Sequence, residues 1–316
     1  NLKRSDPRAS NSRPDFGCGL RTALGLESME SLSSITFLLM NGLIWGLIVA
    51  LIALGLSLIF GVMGIVNMAH GDLYMIGAVV TFYVVSLLGN FWLALLVAPL
   101  LMALIAAPME RFVLRPYEGN PSLTMIATVG ISFVVQTAAL AVYGGIPQKI
   151  PNPWPVNFNL LGVSYPGYRF LIALISILIL AGIWLFLYRT NYGILIRASM
   201  QDRDMANAMG INVNRILVTT FVLGAALAVV GGVLAAPIYQ VSYLMGNDII
   251  LLCFIVVIIG GLGSLEGTLV AALGICAVEG VLAHFLSPTR ARAAIFVVMV
   301  VVLMLRPQGL FGAKER

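Results

Sequence analysis

Charge is what this chain has least of. Of its 316 residues only 10% are Asp, Glu, Lys or Arg, while 60% are hydrophobic. A soluble domain averages about 25% charged and about 45–50% apolar residues. With a mean hydropathy of +1.01, the chain falls outside that class. Lysine is confined to Lys3, Lys149 and Lys314, and none of them completes a GxxxxGK[ST] phosphate loop. The chain therefore has no nucleotide cradle of that kind. Cysteine is limited to Cys18, Cys253 and Cys276, without CxxC spacing; the last two lie in apolar runs and read as packed small hydrophobes. No Ser/His/Asp arrangement, carboxylate pair or metal-ligand spacing is visible, so nothing implies an enzyme, a metal or another cofactor. No basic stretch is interleaved with aromatics, which argues against nucleic-acid binding. The net charge of +5 reads instead as arginine in the cytoplasmic loops of a membrane protein.

What is present is a succession of apolar runs, at about 35–60, 68–88, 91–109, 122–143, 170–188, 216–236, 249–262, 268–286 and 293–305. A helical crossing needs about 20 residues. The expectation is an all-α polytopic bundle of eight or nine membrane segments with at least one broken helix. Residues 1–28 are polar and carry Pro and Arg, and are expected to be a disordered tail before a transmembrane domain over 29–316, with Met29 as a natural start. Arginines cluster at 189–215, at Arg111 and Arg115, and at the carboxyl end, so these three regions are expected to face the cytoplasm. The Pro- and aromatic-rich loop at 144–167 then faces outside. Counting crossings backward places the start of the first helix outside.

The stretch "GIVNMAHGDLYMIGA" sets Asn67, His70, Gly71 and Asp72 inside this apolar context. Polar groups at membrane depth are costly, and irregular backbone is tolerated there only against protein or a water-filled cavity. The residues read as a helix break on a translocation pathway, with Asn67 or Asp72 capping the next helix. Satisfying the freed backbone at the break is a structural role they can fill as well. "GGLGSLEG" misses the dinucleotide spacing and reads as a tight re-entrant turn through Gly260, Gly261, Gly263 and Gly267. Glu279 is expected to face the bundle or a partner, and His284 an interface.

Three separated regions resemble, in order, the permease subunits of branched-chain amino acid ABC importers, a family that also includes urea and short-amide permeases. They are "GLSLIFGVMGIVNMAHGDLYMIGA", "NYGILIRASMQDRDMANAMGINVNRI", and "GGLGSLEGTLVAALG" followed by "RPQGLFG". Asp72 is a mild departure, since many members carry Glu there. The resemblance implies a second homologous permease, two cytoplasmic ATPases and an external solute-binding protein, in a bacterial inner membrane. It also implies that the loop bearing Gly193, Arg197, Ala198, Asp202, Ala206 and Gly210 contacts an ATPase, with small residues seating a short helix and Arg197, Asp202 and Arg203 forming rim charge pairs. The cargo would be leucine, isoleucine, valine or a similar zwitterion, with urea or a short amide as the alternative. By physics alone, an ion-coupled carrier or a small-solute channel remains open.

Overall fold

The computed structural model describes residues 16–160 and 163–312, with side chains from Ile35 onward except Leu160, Val163 and Pro288. The described residues form eleven α-helices: α1 (Phe16–Met63), α2 (His70–Leu88), α3 (Phe91–Pro108), α4 (Pro121–Tyr143), α5 (Gly167–Arg189), α6 (Asn191–Gln201), α7 (Arg203–Ala208), α8 (Val213–Ala235), α9 (Met245–Gly260), α10 (Leu265–Phe285) and α11 (Pro288–Leu305). Seven spans are long and apolar enough to cross a membrane: Ile35–Met63, His70–Leu88, Phe91–Tyr117, Pro121–Tyr143, Gly167–Arg189, Val213–Ala235 and Leu265–Phe285. Two further helices, α9 with 16 residues and α11 with 18, run beside them, which brings the layer to nine helices. The chain is a multi-pass helical membrane protein.

The sequence over 16–28 continues into the first span as helix, so α1 starts well before the first apolar run. Leu20, Ala23, Leu24, Leu26 and Glu27 are good helix formers, and no proline follows Pro14 until Pro99. Of the tail expected over 1–28, residues 1–15 lie outside the described residues. The side chain of Cys18 lies outside them too. Cys253 and Cys276 are buried free thiols, as expected.

The core sits where α1 meets α8 and α10. Small residues let these backbones touch. A Cβ on Gly55 would strike the Gly224 carbonyl, and one on Gly42 the Cys276 carbonyl. Without a hydrophobic drive between helices in lipid, such close packing is the main source of association. By contrast α4 and α5 leave most of their apolar surface exposed, in keeping with contact to lipid or a partner.

The three arginine-bearing regions meet at one end. Arg203 pairs with Glu118, and Arg115 donates to the Asn214 carbonyl at 3.1 Å. Gly61 at the end of α1 abuts Met200 of α6 and Gly263. At the opposite end lies the 144–167 loop, whose single hairpin, β1 (Asn157–Leu160) with antiparallel β2 (Val163–Pro166), is an exception to the all-α expectation. Gln148 and Val241 exchange backbone hydrogen bonds there. Tyr165 donates to Asn41 Oδ1 at 2.6 Å, and Arg169 donates to the same oxygen. Burial raises the Tyr165 phenol above its ordinary range, and Arg169 opposes that rise. The relative placement of loops and termini is the one anticipated from the arginines.

Candidate functional site

The first break is made by Gly64, which leaves α1 in the left-handed region at φ +65°. That region costs an L-residue steric strain that glycine escapes. The chain then turns back into the bundle rather than running out of it. His70 Nε2 lies 2.9 Å from the Ile52 carbonyl. Ile52 is three residues from the midpoint of the Ile35–Met63 span, or about 5 Å along the helix. Helix α2 therefore begins deep inside the protein.

Asn67, His70, Gly71 and Asp72 are all buried there. Asn67 Oδ1 accepts from Ala69 N–H at 3.1 Å, one residue ahead of the helix. Met68 N–H is taken by Thr128 Oγ1 of α4 at 3.2 Å. His70 Nε2 donates to the Ile52 carbonyl, and Nδ1 is buried without a hydrogen-bond partner. Asp72 does not cap the helix. It lies in the first turn and accepts from Gln136 Nε2 of α4 at 2.9 Å. The cap position is Ala69, which has no capping side chain, so Asn67 does the nearest equivalent job. Asp72 still complements the positive end of the helix.

A second break joins the first. After α8 the chain turns at 236–244 and starts α9 next to Gly71, where a Cβ on Gly246 would meet the Gly71 carbonyl. Asn247 Oδ1 lies 3.0 Å from Gln136 Nε2, so one glutamine joins α2, α4 and α9. Asp248 occupies the first turn of α9 as Asp72 does that of α2. Two helix amino ends thus converge at Gly71 and Gly246 inside the bundle, with Asp72 buried and Asp248 exposed. Discontinuous helices whose amino ends point inward form the substrate sites of many transporters.

The glycines of 260–267 do form a tight turn. Gly261 and Gly263 adopt φ of +105° and +79°, and Gly260 packs directly on Gly267. The turn lies at one end of α9. It closes α9 onto α10 at the arginine-rich end, and Ser264 Oγ caps α10 by accepting from Gly267 N–H at 3.2 Å. The segment that turns inward is at the other end of α9, where only Gly246 hints at it in the sequence. The RPQGLFG segment docks on this turn: Leu310 N–H donates to the Ile259 carbonyl at 2.8 Å and Phe311 N–H to that of Gly260 at 3.2 Å.

The loop between α5 and α8 holds α6 and α7. Gly193 lies against the Leu187 carbonyl, Ala206 is buried, and Gly210 turns the chain at φ +83°. The rim charges expected here are engaged within the chain. The Arg197 guanidinium stacks over Tyr188, 4.5 Å from the ring centre. Asp202 Oδ1 caps α7 by accepting from Met205 N–H at 2.9 Å, and Arg203 pairs with Glu118. Ala198 contributes its carbonyl to Asp202 N–H at the junction of α6 and α7. α7 presents Asp204 and Asn207 outward together with Met205, and Met209 follows at its carboxyl end; Met205 is 61% and Met209 77% exposed.

Sequence reasoning missed Gln136, Asn247 and Glu110. Glu110 is fully buried in a π-helical turn, Met109–Leu114, and pairs with Arg115 at 3.0 Å. Only an intramembrane position signalled Gln136 and Asn247.

A family model described as the permease component of branched-chain amino acid transport systems matches residues 38–305. The chain is 32% identical to the high-affinity branched-chain amino acid permease protein BraD of Pseudomonas aeruginosa, over 88% of this chain and 95% of that protein. It is 30% identical to LivH of Salmonella typhimurium, over 87% of this chain and 94% of that protein. LivM of the same organism, also named as a permease of a high-affinity branched-chain amino acid system, is 26% identical over 84% of this chain and 68% of that protein. These relatives are transport permeases and not enzymes. With the inward helix ends and the glycine-packed core on the same residues, the chain belongs to the family of permease components of branched-chain amino acid transport systems.

Proposed function

We propose that this chain is one transmembrane subunit of an ATP-driven ABC importer that moves leucine, isoleucine, valine or similar small zwitterions across a bacterial inner membrane. Its partners are a second, homologous permease, two cytoplasmic ATPases and an external solute-binding protein. The observation that carries the reading is α7. Asp202 and Arg203 are engaged inside the chain, while Met205 and Met209 stand exposed at the arginine-rich end. A short helix capped by Asp202, with exposed methionines at and just after it, suits the groove of a soluble motor. The likeness to both LivH and LivM supports a pair of related permeases.

In this reading Asn67, His70, Gly71 and Asp72 shape the path and are not catalytic. Docking of a loaded binding protein opens the path outward, ATP-driven closure of the motors moves α7, and the path alternates. A mild-detergent pull-down from native membranes tests the assembly by mass spectrometry. Recovery of ATPases and a second permease is expected. Recovery of the chain alone, still moving solute in vesicles, would replace the importer with a carrier or channel.

A further inference from the structure

At the end opposite the arginine-rich loops, between the start of α5 and the end of α8, lies a cleft of about 500 Å³. It is lined by Lys149, Ile150, Tyr168, Arg169, Pro237 and Ile238 among others. The helices beside it fix its depth. The span Gly167–Arg189 begins here and the span Val213–Ala235 ends here, so Arg169 and Pro237 each lie two residues from a span end. Tyr168 ties the two helices together by donating to the Leu234 carbonyl at 3.1 Å. A chain of aromatic rings runs beside the cleft: Trp154 to Phe158 at 6.1 Å between centres, Phe158 to Phe170 at 6.1 Å, and Phe170 to Tyr165 at 5.2 Å. Aromatic side chains collect at the headgroup level of a bilayer. Span ends and aromatic belt therefore put the cleft at the same level, that of the lipid phosphates.

The charges of the cleft have one sign. Lys149 and Arg169 line it and no carboxylate does. Among the described residues neither of the two forms an ion pair. Lys149 is exposed, and the polar partner of Arg169 is the neutral Asn41 amide. The Arg169 guanidinium also lies 5.9 Å from the centre of the Tyr165 ring. Two cations without a counter-ion at a membrane boundary attract anionic lipid, and a guanidinium matches phosphate oxygens in geometry as well as charge. The rest of the wall, with Ile150, Pro237 and Ile238, is apolar and suits the glycerol and the first carbons of an acyl chain.

We propose that this cleft holds the headgroup of an anionic phospholipid, with Lys149 and Arg169 on its phosphate oxygens. The site prefers phosphatidylglycerol to phosphatidylethanolamine, because the ammonium of the latter finds no carboxylate in the wall. A protein docking from outside would meet the outermost residues, whereas Arg169 is half-buried and set inside its span. Bound lipid joins the 149–152 segment to Pro237 and Ile238, which lead into the inward start of α9. The Gln148–Val241 backbone bridge already pairs these two segments. The lipid thus steadies the outer approach to the Gly71–Gly246 contact.

The test is native mass spectrometry of the protein, purified in mild detergent with whatever subunits accompany it. It is titrated with dioleoylphosphatidylglycerol and, separately, with dioleoylphosphatidylethanolamine. The first phosphatidylglycerol adduct is expected to form at least fivefold more tightly. Lys149→Gln should weaken that adduct about fivefold, the worth of one basic residue near a charged surface, and leave the phosphatidylethanolamine adduct unchanged. Arg169→Gln should do the same; because Arg169 also holds Asn41, its fold is checked by thermal shift, while the exposed Lys149 keeps the test decisive if that variant fails. Arg290→Gln removes an exposed cation outside the cleft and should bind phosphatidylglycerol as the wild type does. The proposal is overturned if the two lipids bind alike, if Lys149→Gln binds as the wild type does, or if Arg290→Gln loses as much. It is also overturned if millimolar inorganic phosphate displaces the lipid, which would make this a site for a soluble anion. Lys149→Gln that keeps the lipid but loses uptake driven by an external binding protein would assign the cleft to that protein instead.

Discussion

Gly71 and Gly246 meet backbone to backbone, each at the amino end of a helix that starts inside the bundle, and a Cβ on either would meet the other's carbonyl. The contact holds α2 and α9 together inside the bundle. Gly71→Ala is therefore expected to force α2 and α9 apart and to cut leucine uptake at least tenfold while the protein still inserts. Uptake into proteoliposomes, with detergent thermostability measured in parallel, checks this. Wild-type uptake would mean that the contact opens freely.

Gln136 joins Asp72 to Asn247 across three helices. Gln136→Leu leaves the buried Asp72 carboxylate without its α4 partner, at a cost of about 1–3 kcal/mol for an unsatisfied buried acceptor. The expected outcome is a lower midpoint in a thermal-shift assay. Asp72→Asn in the same background is expected to recover part of it, because the neutral amide is less costly to leave unpaired.

Met205 of α7 and Met209 just after it are exposed methionines at the arginine-rich end. Met205→Asp with Met209→Asp is expected to leave the permease folded but to reduce ATPase co-purification several-fold and abolish uptake. Arg197→Ala should behave differently, since Arg197 packs on Tyr188 within the chain. It is expected to lower thermal stability more than ATPase recovery. Equal losses of ATPase binding in both variants would argue against α7 as the contact.

Glu110 is fully buried and held by Arg115, which also reaches α8 through the Asn214 carbonyl. Arg115→Leu strands a buried charge and is expected to destabilise by about 3 kcal/mol or more. Glu110→Gln with Arg115→Leu should be milder than Arg115→Leu alone. A double-mutant cycle on thermal or chemical unfolding in detergent measures the difference.

The amino-acid order alone determined the class of this protein. Apolar runs of membrane length, sparse charge and clustered arginines dictate a helical bundle with a given relative arrangement of its loops, because each is a local transfer energy summed along the chain. The break at Asn67–Asp72 was legible for the same reason: polar residues in an apolar run stand out. Tertiary structure decided what those residues touch. Asp72 reaches Gln136, not its own helix end, and Arg197 turns onto Tyr188, not outward. The second inward helix start, at Gly246, was hidden, because Gly246, Asn247 and Asp248 fall between two apolar runs and look like an ordinary loop until their partners are known. Glu279, Arg292 and Asp248 come from three helices and form one chain of ion pairs only because α9, α10 and α11 pack together. Periodicity and hydropathy encode which face is buried, whereas partner choice depends on the depth at which each helix begins, and that is set by packing between segments far apart in the chain.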